Sequence, residues 1–533
     1  MNPLIICRSK KTVFMTDIAK ALYDEGHIDK LFAYVPYFDQ WEKYVQKLEN
    51  PHYEKIFSTR EVFGNINDGP ADAEEVTRIE KEYGHNKLWN LFLTERWLTS
   101  LSTRPLYSKI PYYTKEQKLQ CFVGLIKQAE DIFENHDIDC MIDFANIGIF
   151  RIALDLVAQK HGIPYYHTDS ALLRDLESGD RYFVSRRMNE NYSFLDHDHQ
   201  HYKKNPSKIK EGRDYLGFFR NNKTGSIYSM WFAHDQKKAS IFDVHKIITK
   251  IKSIAKSTVQ IVLNIMRDIK RTIRAQTENE IRYNFALYKA DTISVFIRNI
   301  QGFFRYNYKR FFCTLITKPP KSKYAFFTMH YQPEASTALM SPFEVNQQAV
   351  IENIAKSLPL DVQLVIKLNK TMNYRDPIYM LKEINSLPNV QIADAYANTR
   401  DFLEQCHCVV TITGTSGFEG ALLGKKTILL GDKTMPWHRL SSVVNVKKWH
   451  DLYGKISNVD EFFCDDTDLA AYLQAVHDNS IRLTKNYAWE EKQYDRAEDN
   501  YAETINTITN EIVRIHNETK DAVKNAPKTA NGK

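Results

Sequence analysis

Short β-branched and aromatic runs alternate with stretches of helical periodicity over residues 1–215, and the same alternation returns from Tyr324 to about residue 475. In the first stretch "LIICRS" and "LFAYVP" read as strands flanking a helical pattern from Thr16 to Tyr23. The clearest unit is "DCMIDFANIGIFRIALDLVAQKHGIPYYHTDS". There a strand near 139–144 enters a loop at Asn146 to Gly148, and a helix follows with Ile152, Leu156 and Val157 on its apolar face. Gly162 ends that helix and Pro164 introduces the next strand. Strand, helix and strand at this length imply a right-handed parallel crossover. In the second stretch "YAFFTM", "VQLVIKL", "VQIAD", "CVVTIT" and "KTILLG" read as strands, separated by helices such as Asn346 to Leu358 and Asp401 to Cys406. These runs are apolar throughout, as strands covered on both faces are.

The intervening and terminal regions have a different texture. Residues 67–135 are mostly helical in pattern. Over 236–318 a long helical pattern places Val244, Ile247, Ile248, Ile251 and Ile254 on one face, with Lys246, Lys250, Lys252 and Lys256 on another. "KPPKSK" closes it. From Asn486 to His516 a helix carries Tyr501, Ile505, Ile508, Ile512 and Ile515 on one side. The expected fold class is α/β, with two Rossmann-like domains facing across a cleft and a helical basic insertion between them. The expected domains are an acceptor-side Rossmann-like domain at 1–215, the insertion at 216–322, and a nucleotide-sugar-binding domain at 323–475. C-terminal helices at 476–516 and a disordered tail at 517–533 complete the chain.

Composition adds two facts. Hydrophobic residues at 43% and charged residues at 26% of 533 positions are those of an ordinary globular protein. Charge, however, is uneven. Residues 237–323 hold 19 Lys or Arg against 5 Asp or Glu, a net of +14 in a chain whose total is +6, so the remainder carries −8. This basic segment suits peripheral attachment to an anionic membrane, with Ile and Phe shallowly embedded. A helical insertion with a solvated basic face explains it too. Single-stranded nucleic acid would use the same Arg/aromatic mixture, but no RNA-binding motif accompanies it, and no nucleic-acid partner is expected.

The seven Cys are scattered and odd in number, which argues for a reducing compartment rather than a disulfide framework. "CHC" at 406–408 has no second pair at zinc-ribbon spacing and reads as the lead into a buried strand. In "DHDHQH" at 196–201 the alternating His197, His199 and His201 would share a face if extended and could bind metal, but the stretch reads first as a solvated linker. The opening "MNPLIICRSKKTVFMTDIAKALYDEG" lacks a long apolar run, and no 18-residue apolar window occurs, so the expected location is cytoplasmic.

One turn concentrates the candidate chemistry. In "VVTITGTSGFEGALLGKKTILLGD" Thr413 stands at the carboxyl end of a strand, and Gly414 and Gly417 allow close approach of a ligand to the backbone. A helix then begins at Thr415 or Ser416, its free N–H groups forming a phosphate site, and Gly424 ends it. Glu419 has two readings. "SGFE" fits a capping box in which its carboxylate returns to the Ser416 N–H, whereas a nucleotide fold would use the same carboxylate on ribose hydroxyls.

The stretch "TGTSGFEGALLGKKTILLG" resembles the nucleotide-sugar motif of the bacterial capsular polysaccharide biosynthesis family, GT-B-like glycosyltransferases that include the capsule Kdo transferases. "MHYQPEASTA" at 329–338 is similar to a second motif of that family, and its matched positions are His330, Gln332, Glu334 and Ser336. The resemblance covers roughly 324–440. One departure stands out: where the family has "KEHP", this chain reads "KLNK" at 367–370, keeping Lys367 and replacing the rest with Leu368, Asn369 and Lys370.

The resemblance implies a metal-independent transfer from a nucleotide-sugar donor to a growing surface or capsular polysaccharide or its lipid-linked acceptor. The nucleotide-sugar is a substrate, so no cofactor is expected, and no metal. His330 and Lys367 would lie near the donor phosphates, with Thr413, Gly414, Thr415, Ser416 and Gly417 around them. Glu419 would hold the ribose, while Gln332 and Glu334 shape the cleft. An acceptor hydroxyl must lose a proton, and Asp143, His167 and Asp169 have suitable chemistry at strand ends of the opposing half; each also fits a turn or cap. A sugar-nucleotide 2-epimerase-like enzyme and a catalytically inactive nucleotide-sugar-binding relative remain as alternatives. On either the transferase or the binding reading the protein would sit in the cytoplasm, peripheral on the inner face of the membrane where its acceptor is lipid-linked.

Overall fold

A computed structural model describes residues 1–8, 11–36, 52–84, 89, 114–144, 148–174, 180–187, 192–221, 266, 305, 308–309, 311–332, 337, 340–370, 372, 378–431, 435–483 and 500–525. The chain divides into two compact units, each drawn from separated segments: Met1–Asn65 with Cys121–Glu190 and Val476–Lys533, and Ile66–Gln120 with Asn191–Ala475. Each is an α/β unit built on a parallel-rich sheet in the Rossmann-like manner.

The first unit contains β1 (Pro3–Ile6), β2 (Phe32–Val35), β3 (Lys55–Ser58), β4 (Cys140–Asp143), β5 (Tyr165–Arg174), β6 (Asp180–Ser185) and a late strand, β14 (Ile481–Leu483). Their spatial order is β14-β6-β5-β4-β1-β2-β3. β1 runs outward to β2 and β3 on one side, then the chain returns to place β4 and β5 on the other, all parallel. β6 and β14 pair antiparallel at the far edge. The crossover between β4 and β5 is the helix Ile149–Lys160, and Gly162 takes the left-handed conformation after it, with φ 70°. The C-terminal helix runs Tyr501–Asn525 and packs its apolar stripe of Tyr501, Ile505, Ile508, Ile512 and Ile515 into the same core as Phe14 and Ile18.

In the second unit all seven strands are parallel: β7 (Leu315–Ile316), β8 (Tyr324–Thr328), β9 (Gln363–Lys367), β10 (Val390–Ala393), β11 (Cys408–Thr411), β12 (Lys426–Leu429) and β13 (Val443–Asn445). Their order is β13-β12-β11-β8-β9-β10-β7. Both faces are buried. Ala325, Phe327, Leu364, Ile366, Cys408 and Val410 enter one core cluster, while the alternating Tyr324, Phe326, Val365 and Val409 enter another. Period-two alternation with both faces covered is why these strands read as unbroken apolar runs. The sequence order reverses between β8 and β11, which makes their carboxyl ends a topological switch point, the usual ligand crevice of an open parallel sheet.

"DHDHQH" is a correction. It lies in the helix Phe194–Lys204, not a linker. Helical turn puts Leu195, His199 and Tyr202 on one side; His199 is buried against Asp468 at 3.0 Å, and His197 and His201 stay exposed. Most of the basic segment falls outside the described residues.

Candidate functional site

At the switch point of the second unit the chain leaves β8 through Met329 and His330, and leaves β11 through Ile412, Thr413 and Gly414. His330 is buried and locked in place by Gln347 from the following helix. Its backbone N–H donates to Gln347 Oε1 at 2.7 Å, and Gln347 Nε2 donates back to its carbonyl at 3.0 Å. Nε2 of the ring accepts the N–H of Thr413 at 3.3 Å. Nε2 therefore carries a lone pair, and the neutral ring bears its proton on Nδ1. That Nδ1 is buried and has no hydrogen-bond partner among the described residues. Burial pushes the imidazole pKa down to about 4, so the ring is a neutral donor at physiological pH and not a cation.

The turn after β11 is tight for a stated reason. Gly414 donates its N–H to Thr411 Oγ1 at 2.9 Å, and a Cβ on Gly414 would stand 2.8 Å from that oxygen and 3.0 Å from His330 Nε2. A Cβ on Gly417 would stand 2.6 Å from Trp437 Cη2. The two glycines thus let the turn lie against the imidazole and the helix against the Trp437 indole. The helix runs Thr415–Leu422 with Gly414 as its N-cap, and Gly424 closes it at φ 74°. Thr413 and Gly414 spend their N–H groups on His330 and Thr411. The amides of Thr415 and Ser416, at the positive end of the helix, take no acceptor among the described residues. Ser416 Oγ meets Thr328 Oγ1 at 2.7 Å, which ties the helix start to the end of β8.

This start corrects the capping-box reading of Glu419. Ser416 lies inside the first turn instead of capping it, and no side chain among the described residues caps this helix. Glu419 is buried, and its negative charge acts on Lys367. Lys367, the last residue of β9, lies beside Thr328 in the sheet and donates from Nζ to the Ala395 carbonyl at 2.9 Å. Burial and the neighbouring Lys370 ammonium push its pKa down to about 8, while Asp394 and Glu419 hold it up. The "KLNK" departure has a structural account. Leu368 is buried in the core cluster, and Asn369 Nδ2 donates to the Met329 carbonyl at 3.4 Å, bracing the exit from β8. Gln332 donates to the Val345 carbonyl, outside the His330–Thr413 contact. Glu334 and Ser336 lie outside the described residues.

Asp143, His167 and Asp169 belong to the first unit, where Asp143 and His167 are register partners on β4 and β5. Asp143 is fully engaged: Arg151 pairs with it through Nε and donates from Nη2 at 3.2 Å, Tyr165 Oη donates at 2.9 Å, and the Phe144 N–H at 2.6 Å. Arg151 was not singled out by sequence; its one signal is a cation in the first turn of a helix, Ile149–Lys160, whose first turn is otherwise apolar. His167 Nε2 donates to the Arg187 carbonyl at 2.7 Å, which leaves Nδ1 as the basic atom, 3.6 Å from Asp169 Oδ1. Asp169 also accepts from Ser185 Oγ at 3.2 Å and is the most exposed of the three.

One group among the described residues has metal-ligating side chains close together, Asp139, Cys140 and His516. Its carboxylate already accepts from Lys520 at 3.1 Å and from the Asn2 N–H at 2.8 Å. No described helix is long and apolar enough to cross a membrane.

No family model and no curated protein matches this chain. Solved structures with detectable likeness include UDP-GlcNAc 2-epimerase from Methanocaldococcus jannaschii in complex with UDP-GlcNAc and UDP, at 12% identity over 87% of this chain and 94% of that one, with a TM-score of 0.27. The β-Kdo 2,7-transferase KpsC from Thermosulfurimonas dismutans is 9% identical over 65% of this chain and 79% of its own, with a TM-score of 0.33. The spinosyn rhamnosyltransferase SpnG complexed with thymidine diphosphate is 10% identical over 90% and 95%, with a TM-score of 0.25. Strand order, not these likenesses, defines the fold described above.

Proposed function

We propose that this protein is a nucleotide-sugar-dependent glycosyltransferase that acts on a growing surface or capsular polysaccharide or its lipid-linked acceptor. The observation that carries the reading is the buried His330 at the β8/β11 switch point. Its Nε2 is bound to the turn, and among the described residues its Nδ1–H has no acceptor and neither do the first amides of the adjacent helix. Such a set of donors suits the oxygens of a phosphate. Thr413 to Gly417 would wrap the donor phosphates, Lys367 would supply the positive charge, and Glu419 would take the ribose hydroxyls. Gln332 and Glu334 would border the sugar.

In the reaction the acceptor hydroxyl attacks the anomeric carbon, the bond from that carbon to the phosphate oxygen breaks, and the hydroxyl proton passes to a base. Helix amides, the His330 donor and Lys367 would stabilise the departing phosphate without a metal. For the base the reading takes Asp169 with His167, since Asp143 is consumed by Arg151. The capsular acceptor rests on the sequence resemblance over 324–440.

The deciding experiment is a thermal-shift screen with CMP, UDP and GDP, followed by turnover of the matching nucleotide-sugars. A ligand that binds only the folded chain raises its melting temperature. A shift with one nucleotide that is lost in His330→Ala, plus acceptor-dependent release of that nucleotide, supports the proposal. Conversion of the donor to an epimer without acceptor would make it an epimerase, and binding without turnover would make it an inactive relative.

A further inference from the structure

Where the C-terminal helix Tyr501–Asn525 crosses the start of β4, three different ligand types come together within the first unit. Asp139, Cys140 and His516 each bring one ligand atom within 4.8 Å of the other two. Cys140 and His516 are buried, and the Asp139 side chain keeps 32% of its surface exposed.

The imidazole has an atom to spare. Its Nδ1 meets Tyr166 Oη at 3.2 Å, whereas Nε2 is buried with no hydrogen-bond partner among the described residues. Nε2 faces Asp139 Oδ2 at 3.7 Å, beyond hydrogen-bond reach. With the ring proton on Nδ1 and donated to the tyrosine oxygen, Nε2 keeps its lone pair. A lone pair buried beside a carboxylate is costly until a cation stands between them. An outer hydrogen bond on the other ring nitrogen is also what orients a metal-binding histidine. The Cys140 thiol hydrogen-bonds the same carboxylate, and Asp139 Oδ1 is held by the Asn2 N–H at 2.8 Å.

Two ammonium groups bear on the cluster. That of Met1 acts on Cys140 and His516 but is fixed elsewhere, donating to the His27 carbonyl at 2.7 Å. Lys520 Nζ lies 3.1 Å from Asp139 Oδ2 on a side chain that is half exposed, so it can leave for solvent. Thiolate, imidazole and carboxylate together suit a borderline-soft divalent ion, Zn²⁺ and not Mg²⁺ or Ca²⁺. Around tetrahedral Zn²⁺ such ligand atoms stand about 3.4–3.6 Å apart, so closing on the ion takes shifts of about 1 Å. The two anions and Zn²⁺ sum to zero charge, which spares the interior a net ion.

We propose that Asp139, Cys140 and His516 bind one Zn²⁺, which clips the C-terminal helix to β4. As the zinc–sulfur bond forms, the thiol proton passes to solvent, Lys520 swings away from the carboxylate, and water takes the fourth position. The ion fastens the first unit, whereas the proposed donor site belongs to the second, so either reading can fail without the other.

The test strips the full chain with a chelator and titrates it with Co²⁺ as a coloured stand-in for Zn²⁺. One equivalent should give a thiolate-to-cobalt charge-transfer band in the near ultraviolet and the visible bands of a tetrahedral ion, and Zn²⁺ should displace it. Zn²⁺ should raise the melting temperature of the wild type. Cys140→Ser should abolish the charge-transfer band, and His516→Gln should weaken Zn²⁺ binding about a hundredfold, each with loss of the thermal shift. Lys520→Gln removes the competing cation and should tighten Zn²⁺ roughly fivefold, where a lysine that served only as an ion-pair partner would leave that affinity unmoved. Because Lys520 is exposed, this variant keeps the test decisive if the buried ones fail to fold. No charge-transfer band in the wild type, a band that survives in Cys140→Ser, or a Zn²⁺ affinity unchanged in Lys520→Gln would overturn the proposal.

Discussion

The N–H of Thr413 donates to Nε2 of His330 at 3.3 Å, joining the loop after β8 to the turn after β11 across 83 residues of chain. That one bond fixes the tautomer of the imidazole, sets the position of the turn and leaves Nδ1–H as the only donor the ring can offer a ligand.

The same burial makes His330 a determinant of acid stability. Its pKa falls from 6.5 to about 4 on folding, so between those values the unfolded chain binds a proton that the folded chain does not. Stability is fully present above the unfolded value and is lost as pH falls toward the folded one, by roughly 2 kcal/mol between about pH 7 and about pH 5. Urea melts at the two pH values should show this loss in the wild type and a flatter dependence in His330→Gln. An identical dependence in both would mean that other groups carry it.

Gly414→Ala should separate the turn from the imidazole. The new Cβ meets Thr411 Oγ1 at 2.8 Å and His330 Nε2 at 3.0 Å, and neither neighbour is the free end of a long side chain. The expected cost is about 1–3 kcal/mol of stability, with loss of any nucleotide-induced thermal shift. Gly454→Ala is the control, since nothing lies within 4 Å of its Cβ position and it sits in the helix Leu452–Ser457. There the substitution should be neutral or stabilising by up to about 1 kcal/mol.

Much of this arrangement was legible in the sequence wherever local pattern and physics coincide. Strands β1, β2, β4 and β8 to β12 announced themselves as buried runs, and Gly162 and Gly424 ended the helices expected of them. Positions that depend on distant partners were not legible. β3 begins with the exposed residues Lys55 and Ile56, and β6 with the half-buried Asp180 and Arg181, so neither shows a core strand's pattern at its start. The packing of the C-terminal helix on the first helix, through Tyr501 Oη donating to Asp17 at 2.6 Å and the Tyr501 ring on Phe14, links opposite ends of the chain. Glu419 misled in a different way. "SGFE" is a sound capping pattern, but the small residues before it let the helix start earlier, at Thr415, with Ser416 drawn to Thr328. Gln347 carries no local mark and Arg151 only that of a cation in an apolar first turn, because each is defined by what it holds.

Glu419→Gln should act through Lys367. The carboxylate helps keep the buried ammonium charged, so the amide should lower the Lys367 pKa beyond its value of about 8. A smaller charged fraction at about pH 7.5 should weaken phosphate binding, on the order of tenfold when combined with a lost ribose contact. Titrating nucleotide affinity against pH checks this: the wild-type alkaline midpoint should move to lower pH in Glu419→Gln and vanish in Lys367→Met. The folded chain itself should gain stability from about pH 8 toward 10.5, where the unfolded chain holds the lysine proton longer. A binding midpoint unchanged in Glu419→Gln would remove Lys367 from the phosphate site.

Asp143 and Arg151 make the sharpest stability prediction. Both side chains are almost fully buried, at 3% and 2% exposure, and the carboxylate accepts further bonds from Tyr165 and Phe144. Arg151→Met leaves an uncompensated buried carboxylate and should cost about 3–5 kcal/mol. Asp143→Asn strands the guanidinium instead and should cost a similar amount. Since the partners meet directly, the double variant Asp143→Asn/Arg151→Met should cost clearly less than the two singles added together, which a double-mutant cycle in urea would read out. Simple additivity would mean that Asp143 answers to groups other than Arg151. It would also reopen Asp143 as a candidate base, a role it cannot fill while both of its oxygens are held.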